Sequence, residues 1–66
     1  MSIANEMIAV LKDAKANLID VQIKELQNGL IGCTCTAGGA TDYREFESLE
    51  SMVRYLTMIV EDWKII

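Results

Sequence analysis

The hydrophobic period of this chain changes twice within 66 residues, and that double switch restricts the folds open to it. Over residues 3–16 the apolar side chains recur at helical spacing. Ile3, Ala4, Met7, Ile8, Val10, Leu11 and Ala14 fall on one half of a helical wheel, opposite Asn5, Glu6, Lys12 and Asp13. Ser2 stands where an N-cap belongs, and Asn17 is a natural stop because its side chain tolerates a left-handed backbone. From Leu18 the period becomes two. Ile19, Val21 and Ile23 alternate with Asp20, Gln22 and Lys24, which predicts a half-buried strand over 18–26. A second strand is expected over 30–36, where Ile31, Cys33 and Cys35 alternate with Gly32, Thr34 and Thr36. After Ser48, a second N-cap, the helical period returns over 49–64. Leu49, Met52, Val53, Leu56, Ile59, Val60 and Trp63 form one wide apolar stripe.

The turn between the first two strands can be chosen by parity. A two-residue Asn28-Gly29 loop would place Ile23 beside Thr34 and mix the two faces. A three-residue Gln27-Asn28-Gly29 loop, with Gly29 in the left-handed position of a bulge, pairs Leu26 with Leu30. Ile23 then faces Cys33 and Val21 faces Cys35. A slip of one residue would exchange every side chain between faces, so the apolar pattern selects the longer loop. It also puts Leu26 and Leu30 on the polar face at the hairpin tip, a candidate contact pair. Ala37-Gly38-Gly39-Ala40 reads as a flexible connector to a short third strand over 41–46, in which Tyr43 and Phe46 fall on opposite faces. The expected fold is α+β, one domain over 1–66 in the order α-β-β-β-α: a three-stranded antiparallel sheet with two helices on one face.

A domain of this length is marginal unless its core is efficient. Apolar residues make up 52% of the chain and proline is absent, so disorder is not expected. That share is high for a fully solvated surface, and a homodimer or a protein partner is anticipated. The net charge of −4, from 10 acidic and 6 basic residues, argues against direct nucleic-acid or membrane binding. No run reaches the length of a membrane span, and the first residues lack the pattern of a secretory leader. Two cysteines two positions apart form no disulfide framework, so a cytoplasmic setting is expected.

Few residues suggest chemistry. Cys33 and Cys35 point the same way from a strand, yet a zinc or iron–sulfur site needs about four ligands, and the chain has no histidine. A disulfide between them would strain an extended strand. Both read more simply as small core residues. Asp42, Glu45, Glu47 and Glu50 surround the third strand and the start of the last helix. They lack a nucleophile or an electrophile beside them, and read as a solvated edge or a contact patch for Lys or Arg of a partner. Tyr55, at the margin of the last apolar stripe, and Met58, well off it, are further partner-contact candidates. Ile65 and Ile66 add apolar surface in need of cover. No catalytic residue, metal or cofactor is anticipated.

The order α-β-β-β-α, at this length, resembles the double-stranded-RNA-binding domain. That family uses basic residues at the start of its second helix, where this chain has Ser48, Leu49 and Glu50, so RNA binding does not carry over. The layout also resembles small acidic phage proteins of the type II-A anti-CRISPR kind, which imitate DNA at a basic PAM-reading site. The shared points are the start Ser2-Ile3-Ala4-Asn5-Glu6, the acids Glu45, Glu47 and Glu50, and a last helix ending in Trp63. The expected function is a non-enzymatic protein-binding module, an accessory or phage-type regulator. The alternatives are an acidic decoy inhibiting a nucleic-acid-binding protein, and a Cys33/Cys35 redox or metal module.

Overall fold

The computed structural model describes residues 2–64; Ile65 and Ile66, flagged above as apolar surface, lie outside them. Helix α1 spans Ile3–Ala16, strands β1, β2 and β3 span Asp20–Glu25, Ile31–Ala37 and Ala40–Phe46, and helix α2 spans Leu49–Trp63. The sheet is antiparallel in the order β1-β2-β3. α1 packs on α2 and on β1, while α2 packs on β2 and β3. The helices run parallel. Ile3 and Glu6 border the same groove as Glu50 and Arg54 at the N-terminal ends, and Lys64 Nζ lies 3.4 Å from Asp13 Oδ2 at the C-terminal ends.

The caps act as their residue types dictate. Ser2 Oγ accepts from the Asn5 N–H and Ser48 Oγ from the Ser51 N–H, both at 3.2 Å, which satisfies one orphan donor at each helix start. The end of α1 differs from expectation. Asn17 keeps φ at −103° and caps with its side-chain amide, which donates to the Asp13 carbonyl at 2.8 Å. The left-handed residue is Leu18, at φ 60°, an uncommon conformation for a bulky side chain. That reversal lets the Ile19 N–H return to the Ala14 carbonyl at 2.9 Å and drops Ile19 into the core. It also delays β1 to Asp20. Leu18 itself is 76% exposed. Replacing it with glycine removes the backbone penalty and little packing, so Leu18→Gly should raise the unfolding free energy by about 1 kcal/mol in a urea melt.

The β1–β2 hairpin has the parity-selected register. Ile23 faces Cys33 and Val21 faces Cys35. The Leu26 N–H donates to the Leu30 carbonyl at 2.9 Å, and Gly29 sits at φ 86°. Ala37–Ala40 is no loose connector. Gly38 and Gly39, at φ 55° and 91°, form a tight two-residue turn that pairs Ala37 with Ala40 and lengthens both strands by a residue. The core lies between the sheet and the helices. Cys33, Cys35, Met52, Leu56 and Val60 are fully enclosed at its centre.

Candidate functional site

The acidic residues do not form one patch. β3 directs Asp42, Arg44 and Phe46 toward the helices and Thr41, Tyr43 and Glu45 to the opposite face, because its pairing puts Phe46 beside Ile31 and Arg44 beside buried Cys33. Asp42 therefore meets α2. The Tyr55 hydroxyl donates to its Oδ2, and Arg44 Nε stands 3.8 Å from the same oxygen. The Arg44 guanidinium also lies 5.6 Å above the Tyr55 ring, and Phe46 packs against that ring at a centroid distance of 5.2 Å. Tyr55, expected at a contact margin, is only 7% exposed and belongs to the core. The reason is that β3 extends beneath that flank of α2 and covers it.

Glu45 lies on the far face of the sheet, where it accepts from the Tyr43 hydroxyl at 2.8 Å; that bond is the main cause raising the Tyr43 pKa. The Tyr43 ring lies across Gly32 so closely that a Cβ there would stand 2.8 Å from the hydroxyl oxygen. Glu50 pairs with Arg54 at 2.6 Å along α2, and Glu47 is exposed in the connection before that helix. Leu26 and Leu30 are half-buried at the hairpin tip, and Met58 is 53% exposed on the flank of α2. The expected contact residues are thus spread over several faces.

Cys33 and Cys35 are free and enclosed beneath α2. Burial, then the neighbouring Cys35, pushes the Cys33 thiol up to about 12, and burial likewise raises Cys35. Such thiols are poor nucleophiles and poor ligands at neutral pH, because the thiolate is the reactive form. Among the described residues no three His, Cys, Asp or Glu side chains converge as a metal site would require. No described helix is long and apolar enough to cross a membrane.

The two sheet edges present different backbone and side chains. In an antiparallel ladder, backbone groups alternate between facing the neighbour and facing away. The Leu26–Leu30 bond sets the phase for β1, so Asp20, Gln22 and Lys24 bond to β2, and Val21, Ile23 and Glu25 direct N–H and C=O outward. The Ala37–Ala40 turn sets the phase for β3, where Thr41, Tyr43 and Glu45 face outward. The two edges are protected differently. Beneath the β3 edge lie Asp42 and Arg44, inward-facing charges that discourage another strand. Beneath the β1 edge lie Val21 and Ile23, with Glu25 the one charge on that face, at the strand's end, and Ile23 is 41% exposed. On α1, Glu6, Ala9 and Asp13 line the groove toward α2. Ile8 is on the other side of the wheel, above the β1 flank, and is 50% exposed. Sequence periodicity assigned Ile8 and Ile23 to the core stripes; the number of strands under α1 left them at an open edge.

A separate cleft of about 360 Å³ lies at the opposite end of β1, between Leu18, Ala37, Ala40 and Trp63. Comparison of the chain with known protein families, characterised proteins and solved structures finds no match.

Proposed function

We propose that this chain is a small protein-binding module that acts through strand addition at β1 and performs no catalysis. The observation that carries this reading is the less guarded β1 edge: outward backbone groups at Val21, Ile23 and Glu25, with apolar Val21 and Ile23 along most of its core side, a single charge, Glu25, at its end, and Ile8 on the overlying helix. Main-chain hydrogen bonds would supply the affinity of such a contact, and alternate side chains its selectivity. The acidic-decoy reading has less support, because Asp42 is engaged by Tyr55, Glu50 by Arg54 and Glu45 lies on the other sheet face. The raised thiols weigh against a redox or metal role for Cys33 and Cys35.

Proline at an outward-facing position removes no bond of the ladder but blocks an incoming strand. Ile23→Pro should therefore keep the far-ultraviolet circular dichroism spectrum of the wild type while reducing partner capture from source-cell extract by at least about tenfold. Thr41→Pro, the equivalent change on β3, should leave capture intact. Equal loss in both variants, or loss in neither, would contradict the assignment of the contact to β1.

A further inference from the structure

The β1 edge has a register in which it complements itself. We propose that its occupant is a second copy of this chain, joined antiparallel through β1 about a two-fold axis at Gln22, so that the two sheets become one of six strands. The inference rests on β1 being the contact edge and adds the identity and register of the strand that meets it.

Backbone phase and the facing of the core sides restrict the register to odd-with-odd pairings, and charge selects one of these. The outward backbone groups are those of Val21, Ile23 and Glu25, so hydrogen-bonded pairs across the axis must join odd-numbered residues. Core-side residues must face core-side residues, so that both helix layers stay on one side of the joined sheet. With Gln22 opposite Gln22, Val21 faces Ile23 of the second copy in a hydrogen-bonded pair, and Ile23 faces its Val21. Both conditions hold together. The third requirement is charge. The same register sets Asp20 opposite Lys24 of the second copy, and Lys24 opposite its Asp20, on the helix-free face. Neither residue has an ion-pair partner among the described residues. Two opposite-charge cross-strand pairs, two Val–Ile pairs and a central Gln–Gln pair thus fill the five positions 20–24, and Glu25 falls opposite Ile19 beyond them. The exposed part of Ile23 loses water on association.

Cross-linking reads the register directly. Gln22 faces itself in a non-hydrogen-bonded pair, where Cα atoms stand about 4.5 Å apart, within disulfide range. Gln22→Cys under mild oxidation should form a species of twice the 7.4 kDa chain mass. Lys24→Cys should cross-link at least about tenfold more slowly, because two residues 24 would be offset by four positions along the strands, about 13 Å. The buried native thiols leave the introduced cysteine as the reactive one. In sedimentation, Asp20→Lys and Lys24→Asp should each weaken dimerisation about tenfold or more by opposing like charges, and the double exchange should restore it.

The proposal is overturned by a wild type that stays monomeric at about 1 mM, a concentration at which even weak interfaces associate. Equal cross-linking rates for the two cysteine variants would also overturn it, as would a double exchange no better than the single ones. A monomeric chain whose partner capture is still abolished by Ile23→Pro would end the dimer and keep β1 as the contact edge. A dimer unaffected by Ile23→Pro would end both.

Discussion

Leu56→Ala should leave this chain without a cooperative fold at 37 °C. Leu56 is fully enclosed at the centre of α2, where the helix lies over the sheet and beside α1. Truncating such a side chain costs about 2–5 kcal/mol, the transfer of the lost carbons plus the cavity they leave. A domain of this size has a total stability of roughly 3–10 kcal/mol, so one substitution consumes much of it. Far-ultraviolet circular dichroism through a thermal scan should show a broad, early loss of helix in place of a sigmoid. Met58→Ala, on the exposed flank of the same helix, should change the unfolding free energy by less than about 0.5 kcal/mol. Similar losses at the two positions would mean that the core is not where this structure places it.

Alkaline pH should unfold the domain well before its arginines titrate. Burial raises the Cys33 thiol to about 12 and also raises Cys35 and the Tyr55 hydroxyl; for Tyr55 the bond to Asp42 adds to the effect. An unfolded chain releases these protons near pH 9 for the thiols, whereas the folded chain holds them. Between pH 9 and about 12 the folded state therefore binds more protons than the unfolded state, and stability falls as pH rises. The slope is about 1.4 kcal/mol per pH unit for each group that remains protonated only in the folded state. Below pH 9 the same groups contribute no pH dependence. Urea midpoints measured from pH 7 to 11 should be flat at first and then drop steeply. Cys33→Ala should make the drop shallower if the thiol carries its share, and an unchanged profile would remove Cys33 as a cause. Because the thiolate is the form that attacks, thiol-specific reagents should label the native protein at the rate of its unfolding.

Much of the architecture was legible in the sequence. Helix α1 has the expected bounds, and α2 ends one residue earlier, at Trp63. Ser2 and Ser48 cap as their hydroxyls allow, and the β1–β2 register follows from Gln27-Asn28-Gly29 by parity. These features are local: a helical wheel, a two-residue alternation and a turn that tolerates positive φ are written within a few residues. The Gly38-Gly39 turn was misread as slack because a glycine pair signals both a flexible segment and the tight turn that needs two positive φ angles. Leu18 was hidden for the opposite reason. Nothing in a leucine announces a left-handed backbone, and only the packing of Ile19 against the core imposes it.

The open strand edge required the tertiary structure. The sequence by itself determined which residues are apolar, their periodicity and the order of the elements. It could not say how far a three-stranded sheet reaches beneath two helices. That reach covers Tyr55 with β3 and leaves Ile8 and Ile23 at the β1 edge, although all three belong to apolar flanks in the one-dimensional pattern. It also separates Asp42 from Glu45, neighbours in the chain that the pleat sends to opposite faces. Periodicity is a property of one element, whereas exposure is decided by which other element lies over it. The two changes of hydrophobic period set the type and order of the elements, and the place where the sheet stops decides which apolar residues stay exposed.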